Sequence, residues 1–221
     1  LNADSTYSYA NQNMRFKWKH NFNNKFYNVF SFGVDQYDYS VKGRNNPQDA
    51  FDLGFGIKQW SAKSDFKYAT SNKNEVNFGV QYILYDLNPG SKNPRGDSSL
   101  VRSKQLQTEK ASEATLYLGD QFRVNNKLSL QGGVRYSYYR TSGPRKSYIY
   151  ADGKPRNAEN VIDSMLYAAG DNIQTYHGPE FRISARYLIT PRTSLKFSYN
   201  TLRQYIHMIT NTTAIAPTDT W

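Results

Sequence analysis

Hydrophobic and polar residues alternate one by one along most of the chain. Within residues 76–84, apolar side chains occupy the even positions, while Asn77, Gly79 and Gln81 lie between them. The same period of two recurs near residues 14–22, 53–57, 116–122, 128–138, 181–189 and 195–199. Because successive side chains of a β-strand point to opposite faces, this pattern predicts antiparallel strands with one apolar face and one polar face.

We predict eight long strands that follow one another as an up-and-down meander. Their predicted bounds are 14–21, 26–42, 51–69, 75–87, 111–124, 127–141, 180–189 and 194–208. Short turns rich in Asn and Pro join them into the hairpins 14–42, 51–87, 111–141 and 180–208. Longer loops, residues 43–50, 88–110 and 142–179, separate the hairpins.

This arrangement places all the short turns at one end of the meander and all the long loops at the other. Outer-membrane barrels have the same asymmetry, with short periplasmic turns and longer extracellular loops. The predicted strands also reach the length of about 9–11 residues that a tilted strand needs to cross a bilayer. We therefore predict an all-β fold, an antiparallel meander that is part of a transmembrane β-barrel in a bacterial outer membrane.

Composition excludes several other classes of protein. Among the 221 residues, 15% are aromatic, which argues against disorder, and there is no Cys for disulfides, thiolate zinc sites or thiol catalysis. The formal charge of +10 comes from basic residues that are scattered without a long run, so we predict no nucleic-acid partner. A first residue Leu1 and no recognisable signal peptide favour a piece of a longer protein.

The sequence contains no recognisable catalytic or metal-binding constellation. Its three histidines, His20, His177 and His207, are far apart and lack the spacing of a metal or acid–base pair. It has no nucleophile elbow, phosphate-binding glycine loop or dinucleotide fingerprint. We therefore expect no catalytic residue, no metal site, no cofactor and no enzymatic activity.

Residues 157–170 are compatible with two local structures. Asn157 is a suitable cap for a short helix that would end near Gly170. Alternatively, residues 161–167 form a strand that pairs with residues 172–176. We favour the hairpin.

The last fifth of the sequence carries the most specific residues. Residues 175–187, Thr-Tyr-His-Gly-Pro-Glu-Phe-Arg-Ile-Ser-Ala-Arg-Tyr, resemble part of a barrel strand in TonB-dependent outer-membrane receptors of the Bacteroidetes type. Residues 198–207, Ser-Tyr-Asn-Thr-Leu-Arg-Gln-Tyr-Ile-His, together with Asn211–Ala214 and Pro217–Trp221, resemble the same family more strongly. The resemblance implies an internal barrel fragment without its plug domain.

The resemblance also implies a function for the parent protein. In this family a scarce or bulky ligand, such as an iron chelate or a glycan, binds extracellular loops and is imported through the barrel lumen. Expected partners are outer-membrane lipid, the plug, the TonB system, the small-molecule or glycan ligand and a surface lipoprotein.

We identify two sets of candidate site residues. The ligand-binding candidates, all in a predicted long loop, are Tyr148, Tyr150, Tyr167, Tyr176 and His177. The lumen-facing candidates are Arg15, Lys17, Lys19, Gln121, Arg123, Arg135, Arg182, Arg186 and Lys196. The second set is strongly basic and suits an anionic ligand or acidic groups on a plug; equally, it suits a wall that is simply solvated.

Two alternatives remain at this point. One is an eight-stranded barrel complete in itself that acts as an adhesin. The other is a soluble or surface β-sheet module that binds glycans or proteins without transport. For an isolated fragment we expect either a place in a larger assembly or a sheet folded back with its apolar surfaces packed together.

Overall fold

The computed structural model describes residues 5–44 and 46–207, and most of them lie in β-strands. The strands are β1 (Ser5–Asn21), β2 (Phe26–Gly43), β3 (Phe51–Ser71), β4 (Asn74–Pro94), β5 (Lys104–Gln105), β6 (Glu109–Arg123), β7 (Leu128–Ser142), β8 (Arg145–Tyr150), β9 (Val161–Tyr167), β10 (Asn172–Thr190) and β11 (Thr193–Asn200). Two 3₁₀ turns lie at Pro47–Asp49 and Ala158–Asn160. Neither turn is a helix of the length and hydrophobicity that crossing a membrane requires.

One antiparallel sheet contains all the long strands. Its order is β1-β2-β3-β4-β6-β7-β10-β11, so each long strand pairs with the next one along the chain, and the short β5 pairs with β4. The predicted all-β, up-and-down architecture is confirmed. Within the described ranges β1 and β11 do not pair with each other. The eight long strands therefore form an open sheet, and the alternative of a closed eight-stranded ring is wrong for this part of the chain.

Asparagine side chains shape two of the tight turns. Asn23 Oδ1 accepts hydrogen bonds from the backbone N–H groups of Lys25 and Phe26, both at 2.9 Å. Asn125 Oδ1 does the same for Lys127 at 2.8 Å and Leu128 at 2.9 Å. A short polar side chain that bonds the backbone two residues ahead is the typical Asx turn, which explains how these hairpins reverse within a few residues.

Several strands extend further toward the long loops than the alternation predicts. The first strand begins at Ser5 rather than at residue 14, β4 continues to Pro94, and β10 begins at Asn172 rather than at residue 180. These extensions are rich in polar residues and lack a sustained alternation, although their backbones pair in the ladders. A pattern of hydrophobic and polar residues therefore underestimates the length of strands whose ends are mostly polar.

The last strand is shorter than predicted. It ends at Asn200, whereas the alternation suggests a strand to residue 208, of which residue 208 itself lies outside the described residues. Residues 201–207 leave the strand without regular structure. Thr201 and Arg203 still bond to the backbone of β10, whereas Tyr205 finds partners on the face of the sheet, as described below.

Apolar side chains of neighbouring strands share one face of the sheet. Ladder partners place Phe66, Phe78, Leu118, Val134 and Phe181 side by side across five strands. This apolar face is exposed: Leu118, for instance, keeps 53% of its surface accessible. The sheet has therefore not folded back with its apolar surfaces packed together, and that expectation is wrong for the described residues.

The short turns lie on a slanted line across the sheet. The first hairpin turns at the row of ladder partners that contains Tyr27, and this row reaches β10 at Arg182. The last hairpin turns eight residues beyond that row, at Thr190. The centres of the two hairpins are about six strand spacings of about 4.8 Å apart, so at about 3.4 Å per residue the line joining the turns is inclined by about 43° to the rows of ladder partners. Barrel strands are tilted by about 35–45° from the axis, so the turns would share one rim of a barrel.

A second, small sheet lies within the longest loop. It is the hairpin of β8 and β9, and its ladder runs from Arg145 opposite Tyr167 to Tyr150 opposite Val161. The predicted strand at 161–167 is present, but its predicted pairing with residues 172–176 is wrong, because those residues belong to β10 and pair with β7. Asn157 caps a single 3₁₀ turn rather than a longer helix.

Candidate functional site: the polar face of the sheet

The ladders place every predicted lumen-facing residue on the face opposite the apolar one. We call it the polar face. Arg15, Lys17 and Lys19 lie on β1; Gln121 and Arg123 on β6; Arg135 on β7; Arg182 and Arg186 on β10; and Lys196 on β11. They are not gathered at one point but spread over the sheet. That the polar face lines a barrel lumen stays a prediction, which we take up below.

A hydrogen-bonded network crosses the middle of the polar face around Arg135. Its guanidinium donates to Glu113 Oε1 at 3.0 Å and to Thr115 Oγ1 at 3.2 Å, and its Nε lies 3.9 Å from Glu180 Oε1. Glu180 is buried and accepts a hydrogen bond of 2.8 Å from the hydroxyl of Ser137. The network holds two carboxylates around one cation and ties β6, β7 and β10 together through their side chains.

Tyr117 connects three strands beside this network. Its ring leans across Gly79 of β4, and its hydroxyl is hydrogen-bonded to the carboxylate of Asp65 on β3. A Cβ at Gly79 would clash with Tyr117 Oη and with the carbonyl oxygen of Ser64. The missing side chain at Gly79 is therefore what allows the tyrosine to lie against the sheet.

Residues 201–207, which we call the strap, continue from β11 across the polar face. Phe181 N–H donates to Thr201 Oγ1 at 2.7 Å, and Thr201 N–H donates back to the carbonyl of Phe181 at 2.9 Å. The Tyr205 hydroxyl lies 2.9 Å from Ser137 Oγ, and its ring stacks on Tyr139 with centroids 4.9 Å apart. The strap thus covers the buried Ser137–Glu180 pair.

The strap also shows the direction in which the sheet curves. Tyr205 contacts Ser137 on β7, while Ile206 lines a pocket with Tyr37 of β2 and Tyr85 of β4. In a flat sheet β2 and β7 would be about 19 Å apart, at about 4.8 Å per strand. A sheet that bends toward its polar face brings both sides within reach of these two consecutive residues. The polar face is therefore on the inside of the curve and the exposed apolar face on the outside.

The inner side becomes apolar near the long loops. Tyr39, Val41 and Phe55 form a small buried cluster there, and the Tyr39 ring lies 4.7 Å from that of Phe55. Tyr39 is 2% exposed, and its hydroxyl has no hydrogen-bond partner within the described residues. Burial raises the pKa of the Tyr39 phenol, and the neighbouring Tyr7 and Tyr37 raise that pKa further.

The structure separates the predicted ligand-binding residues. Tyr148 and Tyr150 lie on β8, and Tyr167 lies on β9. Tyr176 lies on β10 at the polar face, with its ring 6.5 Å from that of Tyr205. Three of the five predicted residues therefore lie on the loop hairpin and Tyr176 lies on the polar face, so the five residues do not form one cluster.

His177 occupies a different place from the one predicted. It lies within β10 on the apolar face, where its Nδ1 is 2.6 Å from the Tyr136 hydroxyl and its ring stacks with Tyr138 at 6.3 Å. The prediction placed it in the long loop 142–179, whose last residues instead form the beginning of β10. Strand β10 tolerates Pro179 because the backbone of this residue points away from β7, toward the strap, where its carbonyl accepts a hydrogen bond of 3.4 Å from Arg203 Nε.

Sequence reasoning missed the residues that hold the strap. Glu180, Ser137 and Tyr205 were not among the candidates, although Ser137 is fully buried and Glu180 is 5% exposed. Glu180 alternates with the apolar residues of its strand and is the ladder partner of Arg135, so its carboxylate could have suggested an ion pair on the polar face. Among the described residues, no group of three or more His, Cys, Asp or Glu side chains is placed to hold a metal ion.

A sequence model of the TonB-dependent receptor-like β-barrel matches residues 1–217. The chain belongs to this family. The family consists of receptors and transporters rather than enzymes, so the expectation that the chain is not an enzyme is confirmed by its membership. The Bacteroidetes type stays a prediction. No curated protein sequence is significantly similar to the chain.

Solved receptor structures share the fold at low sequence identity. The copper transporter OprC superposes with a TM-score of 0.59 at 10% identity, covering 88% of this chain and 31% of OprC. The open form of the ferric-catecholate import receptor Fiu from E. coli K12 has a TM-score of 0.53 at 15% identity, covering 91% of this chain and 36% of Fiu. The chain thus spans about a third of the length of either structure.

Proposed function

We propose that the chain forms part of the wall of a TonB-dependent receptor in the bacterial outer membrane. The observation that carries this proposal is the separation of the two faces. Apolar side chains are exposed on the outside of the curve, while charged and hydrogen-bonded side chains lie on the inside. A water-soluble β-protein buries its apolar face, whereas a membrane barrel turns it to lipid and keeps a polar interior.

The position of the apolar residues supports the same orientation. They occupy the half of each strand near the short turns, as in residues 26–34 of β2, 60–68 of β3, 76–84 of β4 and 114–122 of β6. Each of these windows has the length of about 9–11 residues that a tilted strand needs to cross a bilayer. The polar strand ends and the β8–β9 hairpin would then project beyond the membrane on the loop side.

The proposed role of the parent receptor is uptake of a scarce or bulky ligand. The ligand would bind at the loop side, where Tyr148, Tyr150 and Tyr167 stand on the β8–β9 hairpin and Tyr176 faces the inside. Passage would follow the polar face and require the plug domain and the TonB system of the whole protein. Ferric catecholates and copper, named for Fiu and OprC, support a metal chelate as the class of ligand, with a glycan and a capping surface lipoprotein as further proposals.

Site-directed spin labelling tests the orientation of the two faces. Single cysteines would be introduced at positions 115–121 of β6 in a full-length receptor from which any cysteine outside these 221 residues has been removed, reconstituted in lipid vesicles. We expect collisions with oxygen to dominate at positions 116, 118 and 120, and collisions with a water-soluble nickel chelate to dominate at the positions between them. Equal access of the nickel chelate to both sets would contradict a lipid-facing surface and favour the soluble or surface binding module.

A further inference from the structure

On the outer side of the sheet, the side that carries the apolar face, Lys and Arg are confined to the loop-side ends of the strands. Between these ends and the short turns, the described residues of the eight long strands place neither residue type on this side. Each cation lies beyond the apolar residues of its strand, as Arg140 lies beyond Tyr138 on β7. In a membrane these positions would lie at the boundary between acyl chains and water. The four residues are Lys42, Lys58, Lys110 and Arg140.

Two of these cations lie on diagonal positions of neighbouring strands. Lys110 of β6 is the ladder partner of Ser142 on β7, and Ser112 of β6 is the ladder partner of Arg140 on β7. These four residues, which we call the quartet, therefore occupy the corners of a rectangle. Diagonal positions are about 7–8 Å apart, which long side chains can span. The quartet thus offers an ammonium, a guanidinium and two hydroxyls to one group placed between them.

The two cations of the quartet have no anionic partner among the residues that the structure describes. Asp86 of β4 is the ladder partner of Lys110 and also of Lys58, and it forms an ion pair with neither. Lys58 lies over the ring of Trp60, with its Nζ 4.7 Å from the ring centroid. The quartet therefore concentrates positive charge at one place on the outer side.

Cations at the other end of the sheet stand singly. Each short turn carries one of them: Lys25, Lys73, Lys127 and Arg192. Consecutive turns are two strands apart, which is about 10 Å. Among the described residues of the outer side, the combination of two cations and two hydroxyls on adjacent strands is therefore found in the quartet and not at the turns.

An exposed apolar surface adjoins the quartet on its turn side. Tyr136 and Tyr138 precede Arg140 on the outer side of β7 and remain 45% and 42% accessible, and Leu116 of β6 is 63% accessible. Aromatic residues at this level are typical of the girdle where a barrel meets the membrane surface. A lipid whose acyl chains pack on this surface would bring its headgroup to the quartet, and basic side chains at such a level attract anionic headgroups.

The charge and the donors of the quartet match one kind of headgroup best. A phosphate monoester carries a charge of about −1.5 to −2 at neutral pH and three strong acceptor oxygens. Two cations can neutralise this charge, and the two serine hydroxyls can donate to the remaining lone pairs. A phosphodiester has a single negative charge and leaves one of the two cations without a partner.

We propose that the quartet binds the phosphate monoester of a membrane lipid in the leaflet on the loop side. The inference rests on the proposed function, because the outer side of the sheet has to face lipid. A free anion meets the same four side chains but gains nothing from the adjoining apolar surface. A lipid gains from both, which favours a lipid as the occupant.

Native mass spectrometry of the full-length receptor in detergent tests this site. The probes are phosphatidic acid, a phosphate monoester, and phosphatidylglycerol, a phosphodiester with the same acyl chains. We expect the receptor to retain phosphatidic acid at several-fold lower lipid concentration than phosphatidylglycerol. In the double variant Lys110→Gln and Arg140→Gln this preference should disappear, because the charges that distinguish the two lipids are gone. Equal retention of the two lipids by the unchanged receptor would overturn the proposal.

The double variant Arg186→Gln and Lys196→Gln is the matched control. It removes the same two residue types from neighbouring strands, but on the polar face. The preference for phosphatidic acid should survive in this variant, and its loss would show an effect of total charge and contradict a site at the quartet. Inorganic phosphate at the concentration of the lipid should leave phosphatidic acid bound. Displacement by inorganic phosphate would assign the quartet to a free anion and contradict the lipid.

Heat-modifiable migration on gels shows whether each variant is folded. The spin labels on β6 report separately whether the apolar face meets lipid. A folded receptor with a lipid-facing β6 and no preference for phosphatidic acid therefore contradicts the phosphate site and not the proposed function.

Discussion

Gly178 leaves a space on β10 that the guanidinium of Arg203 fills. A Cβ at this position would lie 2.5 Å from Cζ and 2.6 Å from Nη2 of Arg203, and no other residue contributes to the three nearest atoms. The close contact is therefore with the end of a flexible side chain and not with the backbone of the sheet. Gly178 consequently makes room for one anchor of the strap, the Arg203 side chain, without being needed for the strand itself.

Gly178→Ala should release the strap and leave the sheet intact. We expect amide hydrogen exchange of residues 201–207 to accelerate several-fold, while the β7–β10 ladder stays protected, since the methyl group displaces only the Arg203 side chain. Mass spectrometry of the receptor in detergent measures both regions. Gly132→Ala is the control, because a Cβ there meets no atom within 4 Å. Loss of protection across β7 and β10 would contradict this account.

The hydroxyl of Tyr39 is a buried polar group without a partner in the described part of the chain. Leaving such a group unpaired costs stability, whereas its removal costs little. Because burial raises its pKa, the folded state favours the neutral phenol over the phenolate. The contribution of this residue is therefore complete below about pH 10, the ordinary tyrosine value, and is lost as the pH rises through the raised pKa.

Tyr39→Phe should change the free energy of unfolding by less than about 1 kcal/mol at neutral pH, since no hydrogen bond is lost. Above about pH 10 the wild-type protein should become progressively less stable than the variant. Denaturant titrations of the receptor in lipid vesicles at several pH values measure the difference. A variant that is much less stable at pH 7 would indicate a hydrogen-bond partner for the hydroxyl.

At the scale of elements, the β8–β9 hairpin is separate from the main sheet. Its base is closed by hydrogen bonds from Gly143 N–H to the carbonyl of Asp171 at 3.0 Å and from Gly170 N–H to the carbonyl of Gly143 at 3.2 Å. The hairpin exposes apolar side chains, with Ile162 68% and Leu166 78% accessible. The chain thus enters and leaves it at neighbouring points.

Replacing residues 145–169 with a two-residue Asn-Gly turn should leave the barrel folded. The ends of the hairpin are already bridged by hydrogen bonds, and β7 and β10 pair independently of it. We expect an unchanged temperature for loss of the fast-migrating gel form. A two-residue replacement of the β6–β7 turn, 124–127, serves as a comparison in a region that is already tight. Failure of the shortened receptor to reach the outer membrane would show that the hairpin is needed for folding.

The elements could be predicted from the sequence only where apolar and polar residues alternate. The apolar halves of β3, β4, β6 and β7 show this pattern clearly. The first residues of β1 and of β10 belong to these strands by backbone pairing, although their side chains show no sustained alternation. The strand 161–167 is compatible with partners on either side in sequence, and only the three-dimensional structure shows that β8 is the one it pairs with.

At the scale of the whole molecule, the two faces of the sheet should respond differently to an introduced charge. Leu118→Arg, on the apolar face of β6, should destabilise the receptor in lipid vesicles by about 2–4 kcal/mol if it lies near the bilayer centre. Gln81→Arg, on the polar face of the neighbouring β4, is the control and should cost less than about 1 kcal/mol. Denaturant titration in vesicles measures both. Equal losses in the two variants would argue against a lipid-facing apolar surface.

The candidate site could be predicted as a face but not as a set of contacts. Parity alone assigns Arg135 and Arg186 to one side of the sheet. It cannot show that Arg135 is neutralised by Glu113 and Glu180, since those residues lie more than 20 positions away in the sequence. Nor can it show that the strap returns across the sheet, because Tyr205 continues the residue pattern of a strand while its partners lie on β7.

Because the line of turns is inclined to the rows of ladder partners, these rows would follow a helical path around the proposed barrel. Each row of ladder partners runs at right angles to the strands, so rows inclined with strands at about 43° wind around a barrel instead of forming level rings. Arg123, Ser129, Arg186 and Lys196 form one such row, and Arg135 and Glu180 form part of another. A body guided along these rows through the proposed barrel would rotate as it advances, so its translation would be coupled to rotation.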